Sequence, residues 1–226
     1  PEFHDEAGLY ATLGLDFPEP ELRENQGELE AAAGHSLPRL IELQNLRGTF
    51  HNHTTASDGH SSLGEMAAAA IELGLQYLGI ADHSKASVQA NGLNEKRLLI
   101  QVHEIHQLNR AYEDEEIDFR LLAGTEVDIL KDGSLDFDND LLAQLDYVVA
   151  SVHNAFTLPE SEMTKRIIAS IENPYVTMIG HLTGRLLLER DPYAVNIPAI
   201  IAACADTVTI IELNCNPWRL DMAWRW

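Results

Sequence analysis

Cysteine is nearly absent from this sequence: Cys204 and Cys215 are the only two in 226 residues. Two thiols with no repeating spacing cannot build the framework of a disulfide-stapled domain, so they are read as free thiols in a reducing compartment. Basic residues are scarce as well, with 15 Lys and Arg against 36 Asp and Glu and a formal net charge of −21. Broad wrapping of nucleic acid needs clustered cations against phosphate, and this composition excludes it. A local phosphate site survives that exclusion, because bound cations can supply the missing positive charge. No apolar run is long enough to cross a bilayer, and no charged and apolar leader opens the chain. A cytoplasmic protein with no membrane partner is the expectation.

Apolar residues make up 45% of the chain, enough for a substantial core and for a barrel. Residues 1–47 are acidic and interrupted by Pro18, Pro20 and Pro38, and read as a connecting arm with one short helix over Glu21–Ala33. From residue 48 to 226 the character changes, and apolar β-prone runs alternate with helical periods. Strands are expected over Thr49–His53, Tyr77–Ala81, Phe119–Thr125, Tyr147–Val152, Tyr175–Gly180 and Val208–Leu213. Helices are expected over Leu63–Leu73, Asn94–Tyr112, Glu160–Glu172 and Pro198–Ala205. Ser61 or Ser62 can cap the first of these, and Asn94 the second. Such alternation predicts an α/β fold with a parallel sheet, and short helices between many strands favour a barrel.

The chemistry gathers at the strand ends. His51 and His53 stand one residue apart, so on a strand they would share a face and could hold one ion together. His83, Glu126, His153 and His181 follow at the ends of later expected strands, where α/β barrels build active sites. Taken singly, His153 or His181 reads as a core histidine; the repeated placement is what argues for a metal site. Glu126 ends an apolar run where an unpaired carboxylate is costly to bury, a cost that bridging two cations would remove. Asp82 is read as a carboxylate partner for a ligating histidine, and Asp128 as facing elsewhere or supporting the site. His4, His35, His103 and His106 are read as bystanders, while His60 lies close enough to be considered. Lys85, Arg185 and Arg219 follow His83, His181 and Asn214 and can reach substrate phosphate or lie on the surface. Clustered imidazoles and carboxylates that hold two or three ions suit phosphoester hydrolysis, and mixed N and O donors fit Mn, Zn or Fe.

These residues carry a resemblance. The order H-x-H, S-D-G, A-D-H-S, G-x-E, S-V-H and G-H-x-T-G-R resembles the PHP (polymerase and histidinol phosphatase) superfamily. Gly48-Thr49-Phe50-His51-Asn52-His53, Ala81-Asp82-His83-Ser84-Lys85, Asp132-Gly133-Ser134-Leu135-Asp136, Gly180-His181-Leu182-Thr183-Gly184-Arg185 and Arg219-Leu220-Asp221 make it most similar to the C-terminal PHP domain of bacterial family X DNA polymerases. The resemblance implies a distorted (β/α)7 TIM-like barrel with a trinuclear site. One metal position would use His51, His53 and Glu126, a second Glu126, His153 and His181, and a third Asp58 and His83. With this site, Glu126, His83 and Arg185 are the expected catalytic residues, and Lys85, Arg185 and Arg219, from their place after the strand ends, the expected contacts to substrate phosphate.

The implied activity is metal-dependent hydrolysis at DNA 3′ ends: 3′-5′ exonuclease, with 3′-phosphatase or abasic-site cleavage related to it. Two rivals are a small-molecule phosphatase of the histidinol-phosphatase type and a degenerate barrel with a structural role. Many relatives carry Asp where Thr49 stands, which alters a contact beside the ligands. A final D-x-H motif is expected beyond Arg219-Leu220-Asp221, and a polymerase portion before the arm. Because the chain opens on Pro1 and stops on Trp224-Arg225-Trp226, the expectation is a C-terminally truncated barrel from a longer protein that has a polymerase domain as its partner.

Overall fold

The computed structural model describes residues 4–226. They separate into two compact units, one of Gln44–Asp221 and one of the residues up to Leu43 together with Met222–Trp226. In the smaller unit, helix α1 (Glu6–Thr12) starts at Asp5, whose carboxylate accepts the backbone N–H of Gly8. Arg23 pairs with Glu6 at 2.9 Å and lies over the Phe17 ring. The helix expected over Glu21–Ala33 is broken: Pro20–Leu22 forms a 3₁₀ turn and α2 spans only Glu28–Ala33. The break has a local cause. The Glu28 carboxylate accepts the backbone N–H groups of Asn25 and Gln26, and Gly27 sits at φ 99°, outside any right-handed helix.

The larger unit alternates strictly. Its strands are β1 (Gly48–Asn52), β2 (Tyr77–Ile80), β3 (Arg120–Asp128), β4 (Tyr147–Ser151), β5 (Met178–Ile179) and β6 (Ile210–Ile211). The intervening helices are α3 (Leu63–Glu72), α4 (Glu95–Asp114), α5 (Asn139–Leu142), α6 (Glu160–Ile171) and α7 (Ile197–Thr207). The sheet order is β1-β2-β3-β4-β5-β6 and every pairing is parallel. Helix starts follow their caps: Ser62 and Glu65 form a capping box on α3, and the Asn94 side chain caps α4.

Strand β3 is where the sheet curls. Its first half, Arg120–Ala123, pairs with β2, and its second half, Gly124–Asp128, pairs with β4. The neighbours on its two sides are therefore displaced along it, the stagger that bends a parallel sheet towards a barrel. The result is a curled six-stranded half-barrel, and Glu126 lies within β3 rather than just past it. Two expected strands shrink. Only Met178–Ile179 of Tyr175–Gly180 is strand, because Asn173 turns the chain with its side chain accepting the Tyr175 N–H. Only Ile210–Ile211 of Val208–Leu213 is strand, because Val208 is the left-handed cap of α7 at φ 60°.

The core beneath the site is set by Tyr147, buried with Ala81, Val149 and Met178 and flanked by Leu122. Gly79 and Gly124 leave room for its ring; a Cβ on Gly79 would stand 2.6 Å from the Tyr147 hydroxyl oxygen and 2.9 Å from Phe50 Cδ1. Overpacking of that kind in a filled core destabilises by about 1–3 kcal/mol. Gly79→Ala is expected to lower stability by that amount in denaturant unfolding, with unfolding still cooperative; an unchanged midpoint would mean that Tyr147 moves freely.

Candidate metal centre

Glu126 is 1% exposed and all five of the strand-end histidines turn towards it. His51 Nε2, His153 Nε2 and His181 Nε2 lie 3.0, 3.1 and 3.0 Å from its Oε1. His83 Nδ1 and His53 Nε2 lie 2.9 and 3.6 Å from its Oε2. Asp58, half exposed, faces His53 Nδ1 and His83 Nε2 at 3.6 Å each. A carboxylate has about four acceptor directions, so one buried glutamate cannot hydrogen-bond five imidazoles well. The surplus is visible: His53 Nδ1, His83 Nδ1 and His181 Nδ1 are buried without a hydrogen-bond partner. Two of them, His53 Nδ1 opposite Asp58 and His83 Nδ1 opposite Glu126, face a carboxylate without a well-directed hydrogen bond, the donor set of a cation site. Three groups could hold an ion: His51, His53 and Glu126; His53, Asp58 and His83; and His83, Glu126 and His153.

The way the histidines reach Glu126 differs from the simple strand argument. His51 has φ 60°, and the β1–β2 register shifts between Thr49 and Asn52. The pair therefore converges through a bulge, not through the alternation of a regular strand. Asn52 repairs the ladder there, donating from Nδ2 to the Gly79 carbonyl and to Thr49 Oγ1, both at 3.0 Å. Thr49 thus serves the bulge. His181 is also left-handed, at φ 24°. Two strained residues in one site need an external clamp.

That clamp is Glu212, which the sequence reading passed over. Its Oε1 accepts from His51 Nδ1 at 2.7 Å, and its Oε2 accepts the His181 backbone N–H at 2.6 Å. Its signal was its place: it follows Ile210-Ile211 directly at a strand end, but the longer strand expected over Val208–Leu213 hid that. Asp128 does the same for His153, accepting from Nδ1 at 2.6 Å while Ser87 Oγ donates to the same oxygen at 2.9 Å. Because each carboxylate takes an Nδ1–H, the Nε2 lone pairs of His51 and His153 are left for the centre.

Asp82 is a correction. It touches no histidine; it is fully buried and accepts from Thr54 N and Oγ1 at 2.8 and 2.7 Å, and from Ser57 Oγ and Gln101 Nε2. Its work is to hold the loop that carries Asp58. The basic residues are dispersed. Lys85 pairs with Glu95 at the start of α4 and lies over the Phe137 ring, away from the imidazoles. Arg185 is buried and donates to the carbonyls of Arg219 and Leu220. Arg219 donates to the Arg185 carbonyl at 3.3 Å, and the carboxylates of Glu126, Asp221 and Glu212 act on it. Arg190, which the sequence reading did not single out, donates to the Gly184 carbonyl and lies 4.3 Å from the Phe156 ring centroid. His60, His103 and His106 are exposed and belong to none of the ion-holding groups found among the described residues, and His35 pairs with Asp16.

The electrostatics follow from this crowding. Burial opposes ionisation of Glu126, but His51 and His153 outweigh it and hold the carboxyl well below the usual range. Burial likewise opposes the imidazolium at His51 and His153, yet Glu126, with Glu212 for one and Asp128 for the other, pushes both up to about 10. His53 goes the other way, down to about 4, because burial and the neighbouring His51 and His83 outweigh the pull of Glu126.

The PHP domain family model matches residues 49–214. The chain is 44% identical over 220 residues to the DNA polymerase/3'-5' exonuclease PolX of Bacillus subtilis (strain 168), covering 97% of this chain and 38% of that protein. It is 32% identical over 171 residues to a probable phosphatase of Thermoanaerobacter sp. (strain X514), covering 73% of this chain and 62% of the relative. A probable phosphatase of Clostridium novyi (strain NT) is 30% identical over 178 residues, 75% of this chain and 64% of that protein. The chain thus spans about two fifths of the first relative and under two thirds of the other two. No helix among the described residues is long and apolar enough to cross a membrane.

Cations bind neutral imidazole, so an ion entering here must displace the protons that His51 and His153 carry at neutral pH. The sign is fixed by the raised values: apparent affinity rises with pH until about 10. Without an ion, the stability these two histidines contribute is full below their ordinary 6.5 and is lost as pH climbs through about 10. Titration calorimetry with Mn in buffers of different ionisation enthalpy is expected to show proton release on binding; proton uptake, or affinity falling between pH 6 and 8, would contradict the assignment.

Proposed function

The chain belongs to the PHP domain family, and from that premise we propose that it is a metal-dependent phosphoesterase acting on DNA 3′ ends. The reaction we infer is 3′-5′ exonucleolytic hydrolysis, with removal of a 3′-phosphate or cleavage at an abasic site as related outcomes. The observation that carries this reading is the convergence of five imidazoles on one buried carboxylate at the C-terminal edge of a parallel sheet. The 44% identity to a polymerase and exonuclease, over nearly the whole chain, supports the choice of DNA.

Two or three divalent ions, Mn, Zn or Fe, would be held by His51, His53 and Glu126, by Glu126, His153 and His181, and by Asp58 and His83. His53 and His83 could each also serve a neighbouring position. Such ions supply positive charge against phosphate oxygens and acidify water at neutral pH. The chain's own residues do the rest. Glu126 stays anionic and would be shared between the ion positions, Asp128 and Glu212 fix the tautomer and aim of His153 and His51, and Glu212 also holds the backbone of His181. His83 completes the catalytic set beside Asp58. Arg219 meets substrate phosphate, and Arg185 holds the loop on which Arg219 stands. Lys85 remains a more distant phosphate contact, reached by releasing Glu95.

In this reading residues 48–226 form part of a distorted (β/α)7 barrel, residues 1–47 are an arm, and the whole works in the cytoplasm joined to a polymerase portion. The small-ester reading keeps one specific support, the relatives named as probable phosphatases. Incubation with Mn, a 3′-labelled oligonucleotide and, separately, a small phosphomonoester decides between them. Shortened oligonucleotide is the expected result, and intact DNA under conditions that hydrolyse the monoester would overturn it. Asp128→Asn and Glu212→Gln remove no donor to the centre, so each is expected to lower Mn affinity or activity by about 10–100-fold with the fold intact. Unchanged affinity in both would show that their clamps are not needed.

A further inference from the structure

The two loops that carry Asp58 and His83 are tied together by Arg97, which hydrogen-bonds to neither ligand. Arg97 lies in the first turn of α4, where its backbone N–H donates to Asn94 Oδ1 at 3.0 Å. Its guanidinium reaches in two directions. Nη1 donates to the carbonyls of Asn91 and Gly92 at 3.0 and 3.2 Å, and Nη2 donates to the carbonyl of Ala56. Asn91 Nδ2 donates to the same Ala56 carbonyl at 3.1 Å. Ala56 stands two residues before Asp58. On the other side, the Leu93 N–H donates to the His83 carbonyl at 2.7 Å, and Gly92 lies so close to Ser84 that a Cβ there would run into the Ser84 carbonyl.

The residue types fit this work. Arg97 makes no ion pair among the described residues; its donors go to three carbonyls on two loops, a span that suits a planar fork and that one ammonium does not reproduce. Asn91 has φ 55°, a left-handed turn that asparagine tolerates, and the turn presents its own carbonyl and that of Gly92 to the guanidinium. The two loops are not held equally. His83 is bridged to Glu126 on β3, whose carbonyl accepts the Ser84 N–H at 2.9 Å. The Asp58 loop is fastened to Asp82 at Thr54 and Ser57, and at Ala56 it is held from outside by Arg97 and Asn91. Without the guanidinium the loop stays attached, but the 3.6 Å approach of Asp58 to His83 Nε2 loses its cross-link.

We infer that Arg97, with Asn91 beside it, is a positioning residue for the ion position formed by Asp58 and His83, and that it sets the affinity of that position separately from those gathered on Glu126. The inference rests on the ion assignment of the phosphoesterase reading and names what holds one of its positions in shape.

Wild type, Arg97→Ala and Asn91→Gly are titrated with Mn, the free ion being read from its electron paramagnetic resonance signal, alongside Asp58→Asn and Arg110→Ala. Asp58→Asn marks the class of bound Mn that depends on Asp58. Arg97→Ala is expected to weaken that same class by about 10–100-fold, the scale for groups that support metal ligands. Asn91→Gly keeps the left-handed turn, removes one donor and is expected to weaken the class less. The remaining classes stay as in wild type, as does every class in Arg110→Ala, an exposed arginine of the same helix. If Arg97→Ala leaves the marked class unchanged, or weakens all classes alike, the inference is overturned and the phosphoesterase reading stands. If Asp58→Asn alters no class, the inference falls together with the Asp58 ion position. A wild type that binds no Mn overturns the phosphoesterase reading as well.

Discussion

The structure depends on one carboxylate. Glu126 is buried in the middle of the sheet, where an isolated charge would be expelled or neutralised. It is held ionised because five imidazoles from four strand ends surround it, with the charges of His51 and His153 outweighing the cost of burial. The same arrangement is unstable in the opposite sense, since those imidazoles have more lone pairs and N–H groups than one carboxylate can serve. Three buried ring nitrogens, of His53, His83 and His181, make no well-directed hydrogen bond. Divalent cations would resolve both problems together, taking the nitrogens of His53 and His83 and balancing the charge.

Geometry upstream of the site makes this convergence possible. The nine-residue β3 pairs with β2 along one half and β4 along the other, and the offset curls the sheet so that strand ends from both sides tip towards Glu126. Tyr147, seated against Gly79 and Gly124, fills the space under the curl, and its hydroxyl lies 3.4 Å from the His51 nitrogen. Two of the residues with left-handed backbone, His51 and His181, lie in the site, and both are held by the two oxygens of Glu212. Stability is thus spent at the residues that the chemistry needs.

Much of this was legible in the sequence, for a physical reason. Apolar runs that end in His or Glu mark strand ends in a parallel fold, and five such endings place their side chains at one edge. The alternation of strands and helices was equally plain, and Ser62 and Asn94 announced their helices. What was hidden depended on exact backbone path. The H-x-H pair looked like neighbours on a regular strand, whereas a bulge at His51 brings them together. Asp82 looked like a partner for His83 by adjacency, yet its side chain turns to the Thr54–Ser57 loop. Glu212 was concealed inside a strand read three times too long, and Lys85, close to His83 in sequence, turns to Glu95 instead.

The central claim is that Glu126 is the shared anchor of a multi-ion centre. Anomalous diffraction at the manganese edge, from crystals of the protein loaded with Mn, tests it most directly. The account predicts at least two peaks within coordination distance of the donor atoms, one bounded by His51 and His53 and one by His153, with Glu126 reaching both. Peaks that lie elsewhere, or a single ion that Glu126 does not touch, would contradict it.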